Sequence, residues 1–144
     1  MIKPIFTKLK NNYKTNSTQI HSCSMHFPNT CAIRMSEALV KTDAKFLAAF
    51  KKSKKNVCPH GYVRGAQDLA AILALPSVLG KRDFGWEAQK NGTPPSDISA
   101  KKGIICYMNI PTFNGQGHID LWDKGSPVGE EYWDAKTIWM WELK

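Results

Sequence analysis

The sequence has no long hydrophobic run. Its longest uninterrupted apolar stretch, Leu69 to Leu75, falls far short of the roughly 20 residues a bilayer-crossing helix needs, so no membrane span is expected. Residues 1–14 contain no apolar h-region, so a Sec-type signal is not expected either. Cysteine is scarce: four in 144 residues cannot build a disulfide scaffold, and folding must rest on burial. The Cys-x-x-Cys and His-Glu-x-x-His spacings of common zinc sites are missing. So are helix-turn-helix, RNP and finger patterns, and any internal repeat. Acid is nearly absent from the first part of the chain. Residues 1–60 carry eleven Lys or Arg against only Glu37 and Asp43, while residues 61–144 are close to neutral, so the net charge of +8 arises at one end. Such asymmetry suits an anionic partner: nucleic acid, a lipid surface, an acidic protein or a cell-wall polymer with carboxylates.

What is present is an ordinary globular composition, 42% apolar with five tryptophans, and a length that suits one domain over residues 1–144. Ile5, Phe6, Leu9 and Tyr13 recur at helical spacing behind Pro4, which predicts a short amphipathic helix. Residues 14–28 are rich in Ser, Thr and Asn and read as a loop. Asn29 and Thr30 are good N-cap residues, and Ala32, Met35 and Leu39 share a stripe, so a second helix should begin at about Cys31. Phe46 to Phe50 predicts a short helical turn running into a solvated basic segment, Lys51 to Lys55. Val63 to Leu79 has the strongest helical pattern, disturbed by Pro76 and closed by Gly80. Gly103–Ile110, His118–Asp123 and Thr137–Leu143 read as strands. Trp139 and Trp141 lie two apart on the last of these and face one side, as a core wall or a binding platform, with core the expectation. Helices precede strands, which predicts an α+β fold with segregated layers.

Cys31 draws attention by its position. At a helix start, unpaired N–H groups and the macrodipole favour an anion and so favour a thiolate. His118 opens a strand just after Gly115-Gln-Gly117 and is the natural base. Nucleophile first, histidine late, then an acid or amide to orient the ring is papain-type logic. Two other readings compete for these atoms. His21, Cys23, His26, Cys31, Cys58 and His60 include enough soft ligands for zinc, with His21-x-Cys23 and Cys58-x-His60 as half-sites of unusual spacing. A disulfide among Cys23, Cys58 and Cys106 suits an oxidising compartment.

Asn29-Thr-Cys-Ala-Ile-Arg-Met-Ser-Glu-Ala-Leu39, Gly61-Tyr-Val-Arg-Gly-Ala-Gln-Asp-Leu-Ala70, Gly117-His-Ile-Asp-Leu-Trp-Asp123 and Ile138-Trp-Met-Trp-Glu-Leu143 together resemble the fourth family of type VI secretion amidase effectors. The resemblance implies a papain-like, NlpC-type fold in which N-terminal helices, one carrying the cysteine, pack on a C-terminal antiparallel sheet carrying the histidine. It implies an antibacterial toxin that cleaves the peptidoglycan stem peptide between D-glutamate and meso-diaminopimelate. The type VI apparatus would deliver it, without a Sec signal, to a target cell's periplasm, and a cognate periplasmic immunity protein would protect the producer. It implies Cys31 as nucleophile and His118 as general base, with no metal or cofactor and no nucleic acid. The family places an acid in the loop after the histidine strand. Alignment on Gly125-Ser126 puts Glu130 there; a longer loop would use Asp134, and Asp120 is a rival because residues two apart on a strand share a face. Glu130 ranks first. Asp120, Asn29 and Arg34 are then expected to touch substrate or support the site. The competing function is a basic binding module without catalysis, for nucleic acid or wall polymer.

Overall fold

The computed structural model describes residues 1–14 and 30–144. Four helices come first: α1 (Phe6–Asn12), α2 (Cys31–Thr42), α3 (Lys45–Lys52) and α4 (Ala66–Leu73). Five strands follow: β1 (Phe84–Trp86), β2 (Lys102–Met108), β3 (His118–Asp123), β4 (Ser126–Pro127) and β5 (Thr137–Glu142). All pairings are antiparallel, in the order β1-β5-β2-β3-β4. Helices then strands, in segregated layers, is the α+β arrangement expected. No helix among the described residues is long and apolar enough to cross a membrane.

Register decides what faces what. Ile104 pairs with Leu121 and Trp141, and Cys106 with Ile119 and Trp139, so these side chains share one sheet face. They join Leu9, Met35, Leu39, Leu69 and Leu73 of the helices in the larger core. Trp141 is buried and Trp139 half-buried in this packing, which makes them wall rather than platform. Ile105, Tyr107, Trp122, Ile138 and Met140 point the other way, into a second core with Ile98, Trp133 and Ala135. Both faces are therefore covered. This explains why β2 reads as a continuous apolar run and why alternation in β5 is imperfect.

Helix α2 is buried on nearly every side, its polar residues included, because α1, α3, α4 and β3 all pack against it. Each buried polar group is answered. Ser36 Oγ accepts from Val63 N at 3.1 Å, and Glu37 meets Lys14 at 2.7 Å and Lys41 at 3.6 Å. Such pairing offsets the cost of taking polar groups out of water.

The helical pattern over Val63 to Leu79 yields only Ala66–Leu73. At its start, Val63 bridges Val57 and bonds Ser36, which holds it extended. At its end, Pro76 disfavours helical geometry at Leu75, and the chain turns through to Gly80 in the left-handed region (φ +83). Strands β1 and β4 were not foreseen; three residues with a central glycine, and two residues, carry no readable period.

The second core hangs on Trp133, fully buried and edge-on to Tyr107 (5.5 Å) and Trp122 (5.5 Å). Trp133→Ala is expected to cost about 3–5 kcal/mol of unfolding free energy, measured by denaturant titration.

Candidate active site

Three elements meet at the start of β3. Helix α2 begins with Cys31; its N-cap Thr30 makes no side-chain cap, because Thr30 Oγ1 instead accepts from Arg34 Nε at 3.1 Å. Arg34 Nη1 donates to the Lys14 carbonyl at 2.7 Å, tying the helix start to the end of the first helical segment. Gly117 precedes His118 with φ +106, and a Cβ there would lie 2.1 Å from the Tyr107 carbonyl oxygen, so only glycine brings the chain this close. Cys31 Sγ lies 3.9 Å from the Gly117 carbonyl.

His118 is buried and pairs in register with Tyr107, whose ring stacks on the imidazole at 6.2 Å. Its Nε2 lies 2.6 Å from Asp120 Oδ2, and the Cys31 thiol hydrogen-bonds to the same ring. With Nε2 committed to the carboxylate, the thiol meets the ring at Nδ1. Asp120 is wholly buried and gathers further donors: Leu121 N at 2.8 Å to Oδ1, Glu130 N at 2.9 Å to Oδ2, and the Tyr13 hydroxyl. Burial, and then the Asp120 charge, push the Tyr13 phenol well above its ordinary value, so it stays a donor.

This geometry corrects the order expected of the acids. Glu130 does not bring its carboxylate to the imidazole; its side chain is exposed and accepts from the Tyr132 hydroxyl, and only its backbone N–H enters the site. Asp134 is exposed. The acid at His118 is Asp120, because residues two apart on β3 share a face and nothing separates them. Gly129 permits the arrangement: a Cβ there would come within 2.4 Å of Asp120 Oδ2.

Arg34 is buried and committed to Thr30 Oγ1 and the Lys14 carbonyl, and Asn29 lies outside the described residues. Tyr13 was read only as part of an apolar stripe, and its hydroxyl carries no sequence signal. Tyr132, Phe113 and Tyr107 were also missed. Tyr132 stands edge-on to His118 at 5.3 Å and to Phe113 at 4.8 Å.

The zinc candidates His21, Cys23 and His26 lie outside the described residues. Cys58 is disulfide-bonded, which removes it as a thiolate ligand, while Cys106 keeps its thiol and so falls outside the disulfide set first considered. Among the described residues no group of three or more His, Cys, Asp or Glu could hold a metal.

Two opposing effects set the charge on His118. Burial disfavours the imidazolium, but hydrogen bonds to Asp120 and Cys31, with the fields of both, outweigh it and raise the group to about 9. The folded value lies above the ordinary 6.5. The stability this contributes is therefore complete below the ordinary value and lost as pH rises through about 9. An NMR titration of the imidazole should show a midpoint near 9, unmoved in Glu130→Gln and lowered markedly in Asp120→Asn.

Comparison with known proteins agrees with this architecture. Residues 27–141 match the family described as type VI secretion system (T6SS), amidase effector protein 4. The chain is similar in fold to the effector in the type VI effector–immunity complex Tae4–Tai4 from Enterobacter cloacae, at 22% identity, TM-score 0.73, covering 99% of this chain and 100% of that one. The corresponding complex from Salmonella Typhimurium gives 22% identity and TM-score 0.74 with the same coverage. The effector Tae4 from Enterobacter cloacae gives 21% identity and TM-score 0.72, covering 99% and 98%. No curated protein matches by sequence. With its helices on an antiparallel sheet and the family match running over most of its length, the chain belongs to the type VI secretion amidase effectors of family 4.

Proposed function

We propose that the protein hydrolyses the peptidoglycan stem peptide between D-glutamate and meso-diaminopimelate through a Cys31–His118–Asp120 triad, as a toxin acting in the periplasm of a rival cell. The observation that carries this is the unbroken hydrogen-bonded line from thiol to imidazole to buried carboxylate at the start of an α-helix.

Each step follows from the geometry. The Cys31 proton passes to His118 Nδ1, giving a thiolate–imidazolium pair that Asp120 stabilises from the other ring nitrogen. The thiolate attacks the amide carbonyl. The amides at the start of α2 supply donors for the oxyanion, in a place where the helix dipole adds to their pull. His118 protonates the leaving amine as the tetrahedral intermediate collapses to a thioester. It then takes a proton from water, which attacks the thioester and releases the new carboxylate. No step uses a metal.

The relatives crystallised with immunity proteins support a cognate immunity partner here. Delivery by the type VI machine into a target cell is the route that family membership supports.

Cys31→Ala is expected to abolish cleavage of purified muropeptides, read by mass analysis, while circular dichroism stays unchanged. Asp120→Asn should lower turnover by about 10⁴, the cost of losing ring orientation in a comparable triad, and EDTA should have no effect.

Lys51, Lys52, Lys54 and Lys55 are all exposed, as a solvated basic segment should be. Reversing their charge should weaken binding to intact sacculi at low salt and spare hydrolysis of small soluble muropeptides. A pull-down with sacculi beside a soluble assay separates the two.

A further inference from the structure

Glu130 has a side chain that the triad does not use. Its backbone is pinned, because Glu130 N donates to Asp120 Oδ2 at 2.9 Å. Its carboxylate accepts from the Tyr132 hydroxyl. That tyrosine is itself held edge-on by Phe113 at 4.8 Å, by His118 at 5.3 Å and by Tyr107 at 6.0 Å. The result is an exposed carboxylate on a rigid aromatic mount, one ring's length from the imidazole. The neighbouring Glu131 is occupied elsewhere, accepting from Trp133 Nε1 at 2.9 Å.

The chemistry says which part of a substrate passes here. His118 must deliver a proton to the leaving nitrogen, so the residue that leaves lies over the imidazole and beyond it. Tyr132 stands edge-on to that imidazole at 5.3 Å and holds the Glu130 carboxylate at its hydroxyl, so a residue lying beyond the ring comes within reach of this pair. In a stem peptide cut before meso-diaminopimelate, the leaving residue carries a second amine, protonated and cationic at neutral pH. Where the polymer is cross-linked through that amine, it is an amide and has no charge.

We infer that Glu130, mounted on Tyr132, is a specificity-determining residue that binds the second ammonium of the leaving diaminopimelate and so favours stems whose amine is not cross-linked. This rests on the amidase reading and on the bond assigned above. A carboxylate already oriented by a neighbouring hydroxyl loses less freedom on binding than a solvent-mobile one, and a hydrogen bond between two ionised groups is the kind that discriminates against an uncharged analogue.

The test uses the full chain and two soluble substrates, a tetrapeptide stem with the second amine unmodified and the same stem acetylated there. For the wild type, kcat/KM should favour the unmodified stem by about tenfold, the worth of one hydrogen bond to a charged group at the weak end of its range. In Glu130→Gln the ratio should fall toward one through loss on the unmodified stem, chiefly in KM. In Tyr132→Phe, which keeps the ring on His118 and removes the hydroxyl, the ratio should fall part of the way. Glu130→Asp should restore some of the preference, which a merely structural role would not require. An unchanged ratio in Glu130→Gln, or equal loss on both stems, overturns the inference. A wild-type enzyme that cleaves neither stem overturns the amidase reading and this inference with it.

Discussion

A carboxylate removed from water in a chain of this size has to be met by donors from several directions, and Asp120 is met by four. They come from three parts of the sequence: Tyr13 after α1, His118 and Leu121 on β3, and Glu130 beyond β4. Leaving such a group short of partners is costly, because the desolvation penalty is fixed while the compensation is not. The helical layer, the central sheet and the loop over the second core are thus held in register at one point. Gly129 belongs to the same constraint, since any side chain there would collide with the carboxylate. Fold and chemistry share this atom group, and a substitution at Asp120 is expected to be felt by both.

The two-sided burial of the sheet is what makes such a polar centre tolerable. Helices cover one face, and loops rich in aromatic residues cover the other, so β3 carries His118 and Asp120 toward the second core with Tyr107 and Trp133 close by. Low polarity around the imidazole strengthens its hydrogen bonds to Asp120 and Cys31. It also opposes charge on the ring, while the hydrogen bonds to Asp120 and Cys31 and the fields of both raise the group. Packing and electrostatics therefore act in opposite senses on one residue, burial lowering its tendency to hold a proton and its two partners raising it.

Much of this was legible in residue order. The start of α2 at Cys31, the strand at His118 and the α+β layering follow from capping preference, period and Gly punctuation, all of which are local. What could not be read depends on contacts distant in sequence. Whether Asp120, Glu130 or Asp134 faces the imidazole is decided by which way a turn folds back, and β4 together with Gly129 brings a backbone amide, not a carboxylate, to that place. That residues two apart on a strand share a face places Asp120 beside the imidazole, whereas an alignment through the loop does not report which part of Glu130 turns toward the site. Helix α4 ended early because Pro76 and the Val57–Val63 bridge bound it on both sides, and only Pro76 was visible beforehand. The Tyr13 hydroxyl was hidden because a helical stripe reports where a ring goes and says nothing of what its far end touches.

The loop from residue 126 to 133 thus serves two masters at adjacent positions. Its backbone at Glu130 completes the shell of Asp120, which demands rigidity, while the side chain of the same residue is exposed and meets the Tyr132 hydroxyl. A backbone amide can be committed inward in this way without dictating where its side chain points. A loop anchored in this way can change its outward residues without disturbing the hydrogen-bonded line from Cys31 through His118 to Asp120 behind it, provided that Gly129 is kept. Replacement at Gly129 has no such freedom, because it would push the amide of Glu130 off Asp120 and leave the carboxylate one donor short in a place that water does not reach.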